Sequence, residues 1–392
     1  MPAVVAGHIC VDIIPLLDHL PTGQFMQLFQ PGRLVSSGAA AFATGGAVSN
    51  TGLALHRLGV PTRLVGRVGR DPFAQIVRNI VDSYSRELSA GLVASDSATS
   101  YTIIINPPGI DRIFIHHPGA NDTFRSNDVD FELVAQAALF HFGYPPMMRQ
   151  MYINNGAELV ELLRRVKETG ATTSLDMTFP DPTSPGGQAN WRAILKAALP
   201  FVDIFLPSIE EMLFLLQRET YERLHKAAPD GNILSQLTPE LLSAFAGELI
   251  GWGVKVVGLK LGERGMYLRS TPAQALAGMG RAAPPAPDAW ANRELWAPCF
   301  RVKVAGTTGA GDAAIAGFLS ALLRGMGAED CLTTAVAAGA CNVEAPDALS
   351  GVRTWEETQA RIQSGWQRHP LHITSAGWQW DERYHLWSRS TE

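Results

Sequence analysis

The sequence predicts an α/β protein with a mostly parallel sheet covered by helices on both faces. Three observations predict it. Short apolar runs alternate with amphipathic segments of helical period along most of the 392 residues. Gly, Pro, Asn and Asp stand at the joints between them. The chain is 46% hydrophobic and 18% charged, enough apolar material to bury a sizeable core and too much for a disordered chain. The length suits one large α/β domain or two smaller ones.

In chain order, VVAGHICVDII at the start reads as a buried strand interrupted by Gly7. Segment 21–44, rich in Gly, Ser and Ala, reads as irregular or as short strands. SNTGLALHRLG (49–59) reads as a helix with Ser49 or Asn50 near its N-terminus and Gly59 closing it. TRLVGRVG (62–69) is a strand. DPFAQIVRNIVDSY (71–84) is a helix capped by Asp71 with Pro72 at its first position. SYTIIIN and DRIFIHH flank PPGI (107–110), a hairpin signal that breaks the parallel rhythm and suggests a lid.

Further on come the strand ALFHFGY (138–144), the helix GAELVELLRRVKETG (156–170) and the strand TTSLDMT (172–178). A helix through Trp191, the strand VDIFLP (202–207) and the helix SIEEMLFLL (208–216) follow. VKVVGLKLGERGMYLR (254–269) reads as two strands joined at Gly262–Gly265. Segments 219–240 and 271–298 read as insertions, the second an Ala/Pro-rich surface loop. The tail 352–392 carries Trp355, Trp366, Trp378, Trp380 and Trp387, and so many aromatics predict packing onto the domain or a second subunit. No internal repeat is evident.

The net charge is −5 and no Lys/Arg-rich run occurs, which argues against nucleic acid or an anionic membrane as the partner. No run reaches the ~18 apolar residues of a spanning helix. Cys10, Cys299, Cys331 and Cys341 form no CxxC pair. They read as buried reduced thiols in a cytoplasmic protein.

The most informative stretch is AGTTGAGDAAIAG (305–317). The first turn of a helix leaves N–H groups unpaired, and the peptide dipoles make it electropositive. Glycines at 309 and 311 let an anion approach the backbone closely. The turn therefore suits phosphate oxygens. A carboxylate beside a bound phosphate repels it unless it has another task, and accepting a proton from an attacking hydroxyl is such a task. Asp is equally a favoured capping residue, and the stretch by itself leaves both roles open. It is not a P-loop, which would need Gly-Lys-Ser/Thr, nor a dinucleotide fingerprint.

TTGAGDAAIAGF resembles the C-terminal signature of the ribokinase-like (PfkB) family of sugar and nucleoside kinases. GGAVSNTGLALHRLG (45–59) with the following GRVGRDPFA resembles its N-terminal signature, and VVAGHICVDI its opening strand. TSYTIIINPPGIDRIFIHHPGAND resembles the lid strands and the turn after them. VVGLKLGERGMYL resembles the strand–turn–strand before the nucleotide loop. The five blocks occur in family order over about residues 3–350.

The resemblance implies a three-layer α/β/α ribokinase-like fold with a small β-strand lid from about 12–44 and 96–120. The kinase domain would span 1–351, with 352–392 a Trp-rich extension. It implies that Asp312 is the catalytic base and that Gly309, Ala310 and Gly311 form an anion hole. Phosphoryl transfer has a loose transition state, so positioning and charge stabilisation dominate. Asp12, Gly45, Gly46 and Asn50 would hold substrate hydroxyls. Lys260, Gly262, Thr308 and Asn342 would lie around ATP. Glu211, through water on Mg²⁺, and Asp176 would serve the metal.

Three positions depart from the pattern. Ser208 replaces the Asn of the family's N-x-x-E motif, and Ser-x-x-Glu is also a capping box. Gly306 stands where the family usually has an Asp associated with a monovalent cation, which puts that cation in doubt. DMT (176–178) replaces Asp-x-Asn.

The reading is an ATP- and Mg²⁺-dependent carbohydrate kinase whose partner is a small sugar-like molecule, with a homodimer through the lid as the expected assembly. A nucleoside kinase on the same scaffold and a catalytically weak sugar or nucleotide sensor are the alternatives.

Overall fold

The structure is a computed structural model that describes residues 2–17, 31, 32, 34–107, 112–229 and 231–390. Two sheets organise it. The larger has eleven strands in the order β14-β15-β13-β12-β11-β10-β9-β8-β1-β4-β5. Its parallel part comprises β1 (Ala3–Gly7), β4 (Thr62–Val68), β5 (Leu92–Ala94), β8 (Leu139–Gly143), β9 (Thr172–Leu175), β10 (Ile204–Phe205) and β11 (Val256–Lys260). An antiparallel edge follows: β12 (Met266–Ser270), β13 (Arg293–Ala297), β15 (Leu386–Ser390) and β14 (Gln379–Asp381).

Burial along β1 shows why the sheet lies in the middle. Ala3 and Val5 belong to one apolar core, Val4 and Ala6 to the other, as the two-residue period of a strand requires. The first core holds helices Ala47–Arg57, Pro72–Tyr84, Ala310–Leu323 and Ala328–Asn342. The second holds helices Ala157–Glu168, Trp191–Ala198, Ile209–Leu216 and Pro239–Gly251. Each fully buried Val or Leu contributes about 1.5–3 kcal/mol. A strand buried on both faces reads as a continuous apolar run, which is the pattern seen at the start of the chain.

The smaller sheet has the order β3-β2-β6-β7, with β2 (Cys10–Pro15), β3 (Ala40–Gly45), β6 (Tyr101–Ile105) and β7 (Ile113–His117). The chain passes from one sheet to the other in two residues, His8 and Ile9. Gly7 makes the exit possible: its φ is +130°, and an added Cβ would lie 2.3 Å from the Gly143 carbonyl oxygen. The expected hairpin is present as β6 and β7, paired from Tyr101–His117 to Ile105–Ile113. Most of its PPGI turn, and residues 18–30 and 33 of the segment expected to be irregular, lie outside the described residues.

Several local expectations hold. Asp71 caps its helix by accepting from Ala74 N at 2.9 Å, with Pro72 in the first turn. Ser208 and Glu211 close a reciprocal capping box.

Three need correction. The helix expected at 49–59 starts earlier, at Ala47, and its N-cap is Gly46, not Ser49 or Asn50. Ser49 Oγ instead donates to the Gly45 and Gly46 carbonyls at 2.9 and 3.2 Å. Segment 271–298 is no surface loop. It contains β13, and Trp290, Glu294 and Trp296 are buried, because β13 pairs with β12 and continues the main sheet. Cys299 is half-buried, whereas Cys10, Cys331 and Cys341 are buried; all four are free thiols.

The Trp-rich tail packs on its own domain. Helix Trp355–Gln363 packs against helix Ala328–Asn342, and β15 hydrogen-bonds to β13 with β14 outside it.

Candidate active site

Asp312 lies in the first turn of helix Ala310–Leu323, which starts from Gly309 at φ +72°. Only glycine adopts that angle without strain, and a Cβ there would meet the Ala348 carbonyl oxygen at 2.6 Å. The carboxylate is 3% exposed. Three neutral donors hold it. Asn50 Nδ2 donates to Oδ2 at 3.1 Å, Thr51 Oγ1 donates to Oδ1 at 3.0 Å, and Tyr144 Oη donates to Oδ2 at 2.8 Å. Asn50 and Thr51 are presented by helix Ala47–Arg57, whose start at Gly46 leaves Asn50 inside the helix and aimed at Asp312. Tyr144 follows β8 in a left-handed conformation, φ +67°. A carboxylate has about four acceptor positions. Three are filled among the described residues, and the remaining one is on Oδ1.

Asp12 lies on β2 and is 8% exposed. Its donors are weaker: the Cys10 thiol at 3.4 Å and the Thr102 hydroxyl. Burial therefore outweighs them and pushes the Asp12 carboxyl up to about 6. Gly45 is required beneath it, since a Cβ there would lie 2.6 Å from Asp12 Oδ2. Gly46 is required beneath His8, where a Cβ would lie 2.5 Å from Nδ1.

Lys260 ends β11. It is largely but not fully buried, and its Nζ donates to Asp176 Oδ1 at 2.8 Å. A Cβ on Gly311 would lie 3.5 Å from that Nζ, so the ammonium stands beside the glycine-rich turn. Burial, with the charges of Glu211 and Asp312, raises the Asp176 carboxyl, against the pull of Lys260. Burial lowers the Lys260 ammonium, but its three carboxylate neighbours, Asp176 first, more than restore it and hold it above its ordinary value. Asp176, Glu211 and Asp312 thus share one cation, and the cluster is electronegative. Among the described residues no three His, Cys, Asp or Glu side chains converge to hold a metal ion. The donor set fits a Mg²⁺ that keeps most of its waters and takes its remaining oxygens from phosphates. Glu211 is engaged in the capping box through Oε2, which accepts from Ser208 N at 2.9 Å.

The turn is braced from behind. Asn342 Nδ2 donates to the Thr308 carbonyl at 2.9 Å, and Ala305 N and Gly306 N both donate to the Val343 carbonyl. Asn342 Oδ1 is buried and unpartnered. Gly306 packs against Pro346, with room for no side chain: a Cβ would lie 2.8 Å from the Pro346 carbonyl oxygen. Within the turn, Ala310 N donates to the Thr307 carbonyl at 3.3 Å, while Gly309 N and Gly311 N have no partner among the described residues. Gly262, φ +53°, starts the turn between β11 and β12, and its carbonyl accepts from the Cys299 thiol.

The structure brings in residues the sequence did not flag. Tyr144 is one. Arg112, from the β6–β7 hairpin, donates to Thr307 Oγ1 at 2.8 Å and so ties the small sheet to the turn. His8 and His116 meet with their Nε2 atoms 3.4 Å apart, and His116 Nδ1 is 3.0 Å from Thr102 Oγ1. Burial, then the nearby His116, keeps His8 well below the usual imidazole range; burial, then His117, takes His116 down to about 4. Both rings are neutral at neutral pH. Only a GYP turn after a strand could have pointed to Tyr144. Nothing local pointed to the histidine contact.

Residues 3–355 match the pfkB family of carbohydrate kinases. The chain belongs to that family and is a carbohydrate kinase. It is 25% identical over 281 residues to an uncharacterized sugar kinase of Archaeoglobus fulgidus, covering 71% of this chain and 90% of that one. It is 26% identical over 211 residues to the probable chloroplastic fructokinase-6 of Arabidopsis thaliana, covering 52% and 51%. The fold is shared with the Arabidopsis thaliana ribokinase complexed with ribose and ATP, at TM-score 0.69 and 21% identity over 92% of this chain and 98% of that one. It is shared also with the Methanocaldococcus jannaschii nucleoside kinase, at TM-score 0.62 and 18% identity over 93% and 99%. No helix among the described residues is long and apolar enough to cross a membrane.

Proposed function

We propose that the enzyme transfers the γ-phosphate of ATP to a hydroxyl of a small sugar, with Asp312 as the base. The observation that carries this is the single open acceptor position on an otherwise saturated carboxylate, at the mouth of a glycine-capped helix. A sugar hydroxyl donating to Oδ1 would be oriented for attack, and Asp312 would take its proton as the new P–O bond forms. Gly309 and Gly311 would offer N–H groups to the transferring phosphate, with Ala310 joining as its 3.3 Å bond to Thr307 lengthens. Lys260 would add charge on the other side of Gly311.

Asp12, Gly45, Gly46 and Asn50 form the sugar side of this reading. Asn50 Oδ1 and His8 Nδ1 are buried and without partners among the described residues, which suits an incoming molecule rich in hydroxyl donors. Mg²⁺, when bound with ATP, would neutralise phosphate charge, and Asp176 and Glu211 would hold its water shell. Thr308, Asn342 and Gly262 would shape the nucleotide side. The small sheet would act as the lid, with Arg112 as its contact to the turn, excluding water so that ATP is not hydrolysed. Leu16, Phe42, Phe114 and Ile115 are exposed on or beside that sheet, which supports a homodimer formed through the lid.

The test is ADP release from Mg-ATP over pentoses, hexoses, phosphosugars and nucleosides, with Asp312→Asn in parallel. Turnover on a sugar that falls at least about a hundredfold in the variant is expected. Turnover on nucleosides alone would favour the nucleoside kinase. Activity indifferent to Asp312→Asn would overturn the assignment of the base.

A further inference from the structure

The family match ends at residue 355, yet the chain beyond it builds a cleft. The cleft has a volume of about 1030 Å³, the size of a small-molecule site. Its walls come from the tail between Ile362 and Trp387, from Phe300 and Arg301, and from Asp330 and Thr333 in the first half of helix Ala328–Asn342. None of the residues assigned to catalysis lines it.

Two features of the cleft point to one kind of ligand. The first is charge. Arg301, Arg368 and Arg383 line it, with His369, His372 and His385, against a single carboxylate among the described residues, Asp330. Arg301 and Arg383 are exposed and make no ion-pair contact among the described residues, although the charge of Arg383 is felt at Asp330. Arg368 is largely buried, and its guanidinium donates only to neutral oxygens: Pro298 O at 2.9 Å, Thr333 Oγ1 at 3.0 Å and Tyr384 O at 3.3 Å. Burial lowers it to about 10, and among the described residues it has no carboxylate partner. A buried guanidinium left without a counter-ion is an unusual expense unless an anion arrives.

The second feature is a rigid aromatic wall. Phe300 and Trp366 stack with centroids 4.3 Å apart and planes 18° apart. Arg361 lies 3.7 Å over Trp366, and Arg368 lies 4.3 Å over Phe300, so four flat groups form a continuous stack. Trp366 Nε1 donates to Arg301 O at 2.9 Å and pins the stack to the domain. Trp380, 36% exposed, lines the cleft, with Trp387 edge-on to it at 5.8 Å and the His385 ring tilted towards it at 6.3 Å.

We infer that this cleft is a second ligand site, separate from the active site, for a molecule that carries both a phosphate and a flat ring: a mononucleotide. The arginines would take the phosphate and Trp380 the base. A sugar phosphate would satisfy only the first feature and a nucleoside only the second.

The test uses the full-length protein with its active site saturated by a non-hydrolysable ATP analogue and sugar. AMP, adenosine and ribose 5-phosphate are titrated separately by calorimetry and by quenching of tryptophan fluorescence. AMP is expected to bind at one additional site, at least about tenfold more tightly than either fragment, and more weakly as salt rises. Arg301→Glu with Arg383→Glu should weaken AMP at least about tenfold while kcat stays within about twofold. Trp380→Ala should remove the fluorescence change and narrow the gap between AMP and ribose 5-phosphate. A melting temperature close to that of the parent establishes that each variant is folded. No heat from AMP at about 1 mM, binding indifferent to the arginine changes, or ribose 5-phosphate binding as tightly as AMP would each overturn the proposal. So would a dimer that the arginine changes dissolve, since the cleft would then hold a second copy of the chain.

Discussion

Asp312 and Asp12 are both buried carboxylates, and the protein treats them in opposite ways. Asp312 has three good donors, two from one helix and one from a left-handed tyrosine, and one acceptor position left. Asp12 has a thiol and a hydroxyl, and its carboxyl rises to about 6 because those do not offset burial. The difference separates two tasks. A base has to be in place and ionised before substrate arrives, so its hydrogen bonds are preorganised. A binding carboxylate can be left short of donors, because the ligand supplies them. On this reading sugar hydroxyls complete Asp12, and the open site tolerates an incomplete set.

The largest effect should come from the preorganised end. Asp312→Asn retains the shape and should lower kcat by about 10²–10⁴-fold, with substrate KM changed far less. A raised KM with kcat unchanged would show that Asp312 binds and does not act as a base.

Next in size is Asp12→Asn. The native carboxyl titrates near 6, the unfolded one near 3.8, so the folded protein holds more protons between those values. Stability therefore falls as pH rises through that window, and above it the ionised Asp12 costs up to about 3 kcal/mol. The variant should melt higher than the parent at about pH 8 and level with it at about pH 4, while sugar KM rises tenfold or more. A variant that melts lower at both pH values would show that Asp12 is already satisfied and would remove the contrast with Asp312.

Tyr144→Phe tests the contrast from the other side. The hydroxyl's own ionisation lies well above the usual phenol range, through burial and then the charge of Asp312, so it keeps the proton it donates to Asp312. Its loss leaves Asp312 with two donors and makes the two carboxylates more alike. We expect kcat to fall by roughly tenfold, from the ~1.5 kcal/mol or more of a hydrogen bond to a charged group. An unchanged kcat would show that Asn50 and Thr51 suffice.

Most of the architecture was legible because strand and helix periods are local properties. Most of the strand and helix alternation, the Asp71 cap and the Ser208 capping box follow from a few residues each, whereas the short β5 was not foreseen. The Gly309–Asp312 turn was legible for the same reason, since helix ends and glycines act locally. What the sequence hid were contacts that only the fold creates. Tyr144 lies 168 positions from Asp312, and His8 lies 108 from His116. The ion pair of Lys260 with Asp176 was hidden in the same way, since 84 positions separate the two. The Ala47–Arg57 helix misled differently: Ser49 and Asn50 are good caps by composition, but the cap is Gly46, which the close approach of His8 demands. Strand β13 was missed because Ala and Pro around it resemble a linker, and its Trp296 is buried by partners distant in sequence.

The smallest effect should be at Glu211, and it separates a structural carboxylate from a functional one. Glu211 accepts from Ser208 N while Ser208 Oγ accepts from Glu211 N, at 2.9 and 3.2 Å. That box alone accounts for a Glu at this position. The same carboxylate, however, raises both Asp176 and Lys260, so its charge reaches the phosphate side of the site. Glu211→Gln keeps the box, because glutamine closes it equally well, and removes only the charge. Ser208→Ala breaks the box and keeps the charge, at about 1 kcal/mol of stability. If Glu211 serves the metal, Glu211→Gln should raise the Mg²⁺ concentration for half-maximal activity by roughly three- to tenfold with little change in melting temperature. Ser208→Ala should do the reverse. If Glu211→Gln leaves the Mg²⁺ requirement where it was, Glu211 is a cap and nothing more, and the metal's water shell rests on Asp176 and the phosphates.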